Sequence, residues 1–309
     1  MKYLIIDKKQ RVEVDTMGEF PTADVRIMEE LDKKGIPHDF AYTDTLEFSF
    51  IDGETNISAN GKNLREYTHI ILRGHALESQ RSYETKRYII DYADNHNIKV
   101  LNSRAIKFFP YYNKIALAQI CSKYNIPYFN TYYRLDGNYT ERRDILNEYP
   151  FICKEYAGAN RLQIIDGKEK IKKNVYKIDN KEGYKQEFLK DQDLKNFFIQ
   201  EFSPAGMDMR IFVKKGKAIA GWKRYAKNGF NTVSDGQYEM YNKPDKKIKK
   251  LAEKVAKIFR ADFIAVDFME DKNGNMLVQE ISLHPGFKAY ETKIKGTPVN
   301  IAEAIITSF

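Results

Sequence analysis

The chain has 309 residues, 36.1 kDa, enough for two or three lobes around separate cores. Apolar residues at 42% and aromatics at 13% exclude an unfolded chain, and a net charge of +8 points to anionic partners without choosing among them. Two cysteines, Cys121 and Cys153, cannot build a disulfide framework or a thiolate zinc site, and the five scattered histidines lack zinc-helix spacing. No apolar run approaches the ~18 residues of a membrane span, and the run in MKYLIIDKKQ is too short for a signal peptide. The expectation is a reduced, soluble, cytoplasmic protein.

In chain order, Tyr3–Ile6 reads as a buried strand. Residues 22–34 place Val25, Met28 and Leu31 on one helical stripe, with Thr22 as a cap and Gly35 at a left-handed end. His69–Leu72 is a second strand, ending at Arg73-Gly74; a helix over 82–95 and a strand at Ile98–Leu101 follow. Strands alternating with helices predict an α/β lobe with a parallel sheet, ending near residue 103. A helix over 113–123 stops at Asn125 and Pro127. Phe151–Cys153, Phe197–Phe202, Arg210–Val213 and Lys217–Tyr225 then read as strands joined by short turns, and 166–192 as a polar, lysine-rich mobile region. Residues 245–258 carry Ile248, Leu251, Val255 and Ile258 at helical spacing. The lysines on the rest of that helix read either as a nucleic-acid face or as a solvated one; the absence of interleaved aromatics favours the latter.

Ala261–Ser282 is the most informative segment. Asn273-Gly274 predicts a two-residue turn that sets Asp267 opposite Glu280, both on one face, with Ser282 one step further along it. Facing carboxylates repel, and a divalent cation would remove the repulsion; oxygen ligands favour Mg²⁺ or Mn²⁺. The competing reading is that both carboxylates face water at a sheet edge. In a second hairpin over 208–225, a turn at Lys215-Gly216 sets Asp208 opposite Lys223, with Arg210 on the same face and Arg224 pointing away unless a bulge intervenes. A structural salt bridge explains Asp208–Lys223 equally well. Lys154 ends an apolar strand before the small-residue loop Ala157–Asn160, where an ammonium and backbone N–H groups would suit phosphate. An ordinary strand end is the alternative, and no P-loop motif is present.

These pieces stand in one order: Lys114, Lys154, IQEF at 199–202, DMRIFV at 208–213, Lys223-Arg224, Phe230-Asn231, Asp267, then Glu280 and Pro285-Gly286. That order resembles the ATP-grasp superfamily, specifically its RimK-type amino-acid ligases. The resemblance implies an ATP-grasp fold behind an N-terminal parallel-sheet lobe, divided as 1–103, a central 104–200 part with the phosphate lid, and 201–309 with the metal site. It implies that Lys114 and Lys154 hold ATP phosphates, that Glu201-Phe202 form the hinge against the adenine, and that Asp208, beside Lys223, reaches the ribose. Asn231 would lie by the phosphates, and Arg210 and Arg224 would face the transferred phosphate or acyl group. Asp267 and Glu280 would hold Mg²⁺, with Ser282 standing where the family usually has Asn. A second departure from the implied pattern is a glycine-poor Lys154 loop; His284, in LHPG, is expected to serve substrate or structure rather than to be a ligand. The implied activity joins a carboxylate to an amine of an amino acid, peptide or protein, with no protein nucleophile; a nucleotide-binding module with little catalysis and a basic nucleic-acid adaptor are the alternatives.

Overall fold

The computed structural model describes residues 1–8, 22–74, 80–109, 113–137, 139, 150–155, 161–165, 168–172, 175–180, 194–225, 237–292 and 294–309. Strand β1 (Tyr3–Asp7) is buried along its whole length, as its unbroken apolar run requires of a central parallel strand. It lies between β2 (His38–Tyr42) and β6 (His69–Leu72), with β7 (Lys99–Val100) beyond; all pairings are parallel. Between β2 and β6 sits a three-stranded antiparallel sheet: β3 (Leu46–Ile51), β4 (Glu54–Ala59) and β5 (Lys62–Asn63). Sequence reading assigns no strands there, although Asp52-Gly53 and Asn60-Gly61 carry the hairpin signal. All four residues have positive φ, as mirror-image turns demand.

Helix α1 (Thr22–Lys33) ends as expected, Gly35 at φ +64°. Its buried face differs from the predicted stripe: Asp24, Ile27, Glu30 and Leu31 are buried, while Val25 and Met28 are half-buried. Two carboxylates can turn inward because each finds a cation: Asp24 pairs with Arg73, and Glu30 with Arg26. Helix α2 (Gln80–Asn95) covers the outer face of the parallel sheet, where Leu4, Ile70, Ile89 and Ile90 pack together.

Helices α3 (Ser103–Phe108) and α4 (Lys114–Lys123) follow, the latter capped by Asn113, whose Oδ1 accepts from the Ala116 N–H at 2.8 Å. The next sheet has the order β12 (Val175–Ile178), β9 (Phe151–Glu155), β13 (Phe197–Glu201), β8 (Thr131–Tyr132). A hairpin, β10 (Arg161–Ile165) with β11 (Lys168–Lys172), precedes β12. Within the polar, lysine-rich stretch 166–192 the structure thus has strands β11 and β12; residues 181–193 lie outside the described residues.

The last sheet runs β16 (Gln237–Met240), β15 (Lys217–Tyr225), β14 (Met207–Lys214), β17 (Phe263–Glu270), β18 (Met276–Ser282), all antiparallel. Helix α5 (Lys246–Ile258), capped by Asp245, lays Ile248, Ala252, Val255 and Ala256 on one face of it beside Leu117 and Cys121 of α4. The opposite face, with Phe212, Ala220 and Phe263, shares a core with Tyr3, Ile5 and Ile71 of the N-terminal sheet and with the short helices α6 (Lys288–Thr292) and α7 (Ile301–Ile306). Both cysteines are free and buried, and among the described residues no helix is long and apolar enough to cross a membrane.

Candidate active site

The β17–β18 hairpin pairs Asp267 with Glu280, as the turn reading predicts, but by a different route. The turn is wider than two residues. Asp271 Oδ1 accepts from the Asn273 and Asn275 N–H groups at 2.8 and 2.7 Å, and Glu270–Met276 is the closing pair. That shifts the register by one, and a bulge at Gln279 shifts it back before Asp267 is reached. Each carboxylate also has a cation. Arg210 reaches Asp267 through Nε and Nη2, both at 2.7 Å, and Lys114 Nζ lies 3.5 Å from Glu280.

The β14–β15 hairpin corrects one pairing. The turn at Lys215-Gly216 gives Lys214–Lys217 and Val213–Ala218, but a bulge at Ile219 then moves every later pair by one. Asp208 therefore faces Arg224, not Lys223, and the Arg224 Nε–Oδ2 distance is 2.9 Å. Lys223 turns to the other face, its ammonium 4.4 Å over the Tyr241 ring, so the structure does not bring it to the other predicted site residues. Arg210 pairs with Trp222, the chain's single tryptophan, and the guanidinium carbons of Arg210 and Arg224 each lie 5.7 Å from its ring. Burial raises the Asp208 carboxyl above its ordinary value, against the pull of Arg224. Burial alone would lower Arg210, but Asp267 outweighs it and raises the guanidinium.

Lys154 closes the other side of this group. On β9 it is buried, its Nζ 2.7 Å from Oε1 of Gln200 on β13, and Gln200 Nε2 in turn donates to Thr131 Oγ1 at 3.0 Å. Burial, then the neighbouring charge of Lys114, pushes the Lys154 ammonium down to about 7, with Glu280 opposing. Two buried lysines near one carboxylate make a place where an anion is welcome, since it would restore the charged form that burial disfavours. Sequence reasoning missed Gln200: it lies inside IQEF, but its role follows only from the antiparallel register of β9 and β13.

The remaining predicted residues divide. Glu201 ends β13, its N–H donating to the Asn130 carbonyl at 3.0 Å and its Oε2 accepting from Asn130 Nδ2 at 3.1 Å. Phe202 follows, with Lys177 Nζ 4.9 Å from its ring centre. Ser282 sits on the Glu280 side of β18, two residues on, and its Oγ accepts the His284 N–H at 3.3 Å. Asn231 and the Ala157–Asn160 loop lie outside the described residues. Among the described residues no three His, Cys, Asp or Glu side chains cluster as a complete metal cage. Two facing carboxylates with all-oxygen donors suit a hard cation whose other ligands are phosphate oxygens and water. Asp267 and Glu280 fit Mg²⁺ in that sense.

A family model for the RimK-like ATP-grasp domain matches residues 112–309. The chain is 27% identical over 202 residues to the alpha-aminoadipate–LysW ligase LysX of Saccharolobus solfataricus, covering 63% of this chain and 68% of that protein. It also resembles a probable alpha-L-glutamate ligase of Vibrio parahaemolyticus, 32% identical over 31% of this chain and 33% of that protein. Among solved structures, the fold matches the macrocyclase MdnC of Microcystis aeruginosa bound with its precursor peptide MdnA. There the TM-score is 0.69 at 15% identity, over 99% of both chains.

Proposed function

Because the chain belongs to the RimK-like ATP-grasp family, with its ATP- and Mg²⁺-dependent ligases, we propose that it joins the carboxylate of an amino acid, peptide or protein tail to an amine at the cleft described above. The observation that carries this reading is the set Lys154, Lys114, Glu280, Asp267 and Arg210: two buried lysines beside two facing carboxylates and a guanidinium.

Lys114 and Lys154 grip the nucleotide phosphates, and Glu201-Phe202 lie along the base. Asp267 and Glu280 hold Mg²⁺, which when bound neutralises phosphate oxygens and offsets the charge built up during transfer. Arg210 and Arg224, held by Asp267 and Asp208 and flanking Trp222, present guanidinium edges to the transferred phosphate and the acyl group. A carboxylate oxygen of the substrate attacks the terminal phosphorus, the bond to ADP breaks, and an acyl phosphate forms. The amine nitrogen then attacks the acyl carbon and expels phosphate, losing a proton on the way to the amide. Nothing in this sequence needs a protein nucleophile; it needs positioning and cationic stabilisation.

The relatives' names supply the substrate class. LysX is named for an amino acid and a partner, and MdnC is bound to a precursor peptide, which supports an amino-acid or polypeptide substrate for this chain. The lysine face of α5 is read as solvated: Lys254 is spent on the Tyr124 and Asn125 carbonyls, and no exposed large aromatic lies on that helix to stack a base. The free cysteines suit the cytoplasm. The test is ADP release with a panel of amino acids and peptides as acid and amine, followed by mass spectrometry for a new amide. ATP-dependent amide formation supports the reading; ATP binding with no amide from any pair, or from cell extract, counts for a nucleotide-binding module instead.

A further inference from the structure

We propose that Arg73, on the N-terminal parallel sheet, is a positioning residue for Arg210 and acts through the segment Leu283–Phe287. The inference rests on the role proposed above for Arg210. Arg73 follows β6 and is buried, its Nε 2.8 Å from Oδ1 of the fully buried Asp24 in the first turn of α1. Its two terminal nitrogens both point at one acceptor, the Pro285 carbonyl, each at 3.4 Å. The next carbonyl along, that of Gly286, accepts from Arg210 Nη1 at 3.2 Å, and Arg210 grips Asp267 with its other two nitrogens. One continuous run of contacts thus leads from α1 of the N-terminal lobe to the strand bearing the proposed metal carboxylate.

The segment between is held from three sides. Asn102 Nδ2 donates to the Leu283 carbonyl at 2.8 Å, Arg73 holds Pro285, and Phe287 is buried in the core between the lobes. Holding the Pro285 carbonyl fixes the peptide plane that leads into Gly286, one residue before the carbonyl that Arg210 uses. The N-terminal lobe supplies two of these three holds. The end of β6 is itself fixed, because the buried Lys86 donates to the Gly74 carbonyl at 2.9 Å.

A buried ion pair is a poor device for stability alone, since a well-packed apolar pair of the same volume does as well. Here it aims a forked donor at a carbonyl adjacent to the site, the use for which a rigid guanidinium is suited. Lys114 faces Glu280 and Lys154 faces Gln200, away from the carbonyls that Arg73 and Arg210 hold, so the effect of losing Arg73 should fall on transfer and not on nucleotide binding.

The test measures ADP release at saturating acid and amine, together with thermal melts, for full-length Arg73→Gln, Arg73→Lys and Arg210→Lys. Arg73→Gln is expected to lower kcat about tenfold with KM for ATP within about twofold, and Arg73→Lys to recover part of the loss. If Arg73→Gln fails to fold, Asp24→Asn/Arg73→Gln, which removes the carboxylate that Arg73 pairs with, takes its place with the same expectation. A lowered melting temperature with unchanged kcat would overturn the proposal and make Arg73 a structural residue. If Arg210→Lys loses turnover while Arg73→Gln keeps it, the positioning role alone fails. If both keep full turnover, the role given to Arg210 fails, and this inference with it.

Discussion

Arg210 grips Asp267 across adjacent strands with two hydrogen bonds of 2.7 Å, while Glu280, directly opposite Asp267, lies 3.5 Å from Lys114 and keeps its side chain 38% exposed. Two carboxylates that look equivalent in sequence are therefore unequal. Asp267→Asn leaves a largely buried guanidinium half-paired and should cost about 2–3 kcal/mol, somewhat less than the ~3–5 kcal/mol of breaking a fully buried pair. Glu280→Gln removes repulsion and loses little, so its stability should stay near wild type. Both should cut Mg²⁺- and ATP-dependent turnover about a hundredfold or more, the scale of one lost charged interaction at a reacting centre. Denaturant melts and ADP-release assays on both variants check this. Equal destabilisation, or normal turnover in either, would remove the metal role.

How far the site was legible follows from the same strands. Alternation and the Asn-Gly turn put Asp267 against Glu280, but two one-residue departures, a wider turn and the Gln279 bulge, cancel on the way. In the neighbouring hairpin only one departure occurs, the bulge at Ile219, so Asp208 meets Arg224 instead of Lys223. A bulge carries no strong local signal, yet it reverses which side chains share a face. The hairpins of β3–β5 carry a signal at Asp52-Gly53 and Asn60-Gly61 that the sequence reading passed over. Arg73 was not, because its acceptor lies 212 residues away and nothing near it in sequence announces the contact.

Lys154 gives a pH prediction. Burial, then Lys114, lowers its ammonium from the ordinary lysine value to about 7. Such a group is mostly neutral in the apo fold above pH 7 while the unfolded chain keeps its proton up to about 10.5. Its contribution to apo stability is thus greatest above about 10.5, is lost as pH falls towards 7, and is flat below. Phosphate beside it restores the charged form. ATP binding at pH 8 should therefore take up close to one proton, and at pH 6 much less. Calorimetry in buffers of different ionisation enthalpy reads this directly, and Lys154→Gln should abolish the uptake while weakening binding. Uptake unchanged in the variant would assign the proton to another group.

Gly221 gives a packing prediction. It pairs with Ile211 next to Trp222, and a Cβ there would lie 2.7 Å from Ile211 Cδ1, 2.9 Å from the Arg210 carbonyl oxygen and 3.0 Å from that of Tyr241. A side-chain methyl can swing aside; two backbone carbonyls cannot. Gly221→Ala should force β15 away from its neighbours at a cost of about 1–3 kcal/mol, the usual range for overpacking. It should also alter the near-ultraviolet circular dichroism of Trp222 and lower turnover, because Arg224 moves with its strand. An unaltered Trp222 signal with normal turnover would mean that the strand yields elsewhere.

Asn102 tests the junction between the lobes. It sits at φ 61°, ψ 19°, fully buried, immediately before α3. Its Nδ2 donates to the Phe263 and Leu283 carbonyls at 2.7 and 2.8 Å, and its Oδ1 accepts from the Asp262 and Phe263 N–H groups at 2.8 and 3.0 Å. One side chain thus satisfies four backbone groups of the C-terminal lobe while its own backbone is left-handed, a conformation asparagine tolerates better than most residues. Asn102→Ala removes all four partners and adds left-handed strain; Asn102→Gly removes the partners without the strain. Both should cost at least ~3 kcal/mol, since each buried group left unpaired costs about 1–3 kcal/mol before any rescue by water. Alanine should be the worse of the two by about 1 kcal/mol. Because Leu283 begins the segment that reaches Arg210, both variants should also lose turnover in the folded protein beyond what the melts explain. Denaturant unfolding of the pair separates the contributions: alanine more stable than glycine would show that backbone strain at Asn102 is negligible, and losses under ~1 kcal/mol would show that water replaces the amide.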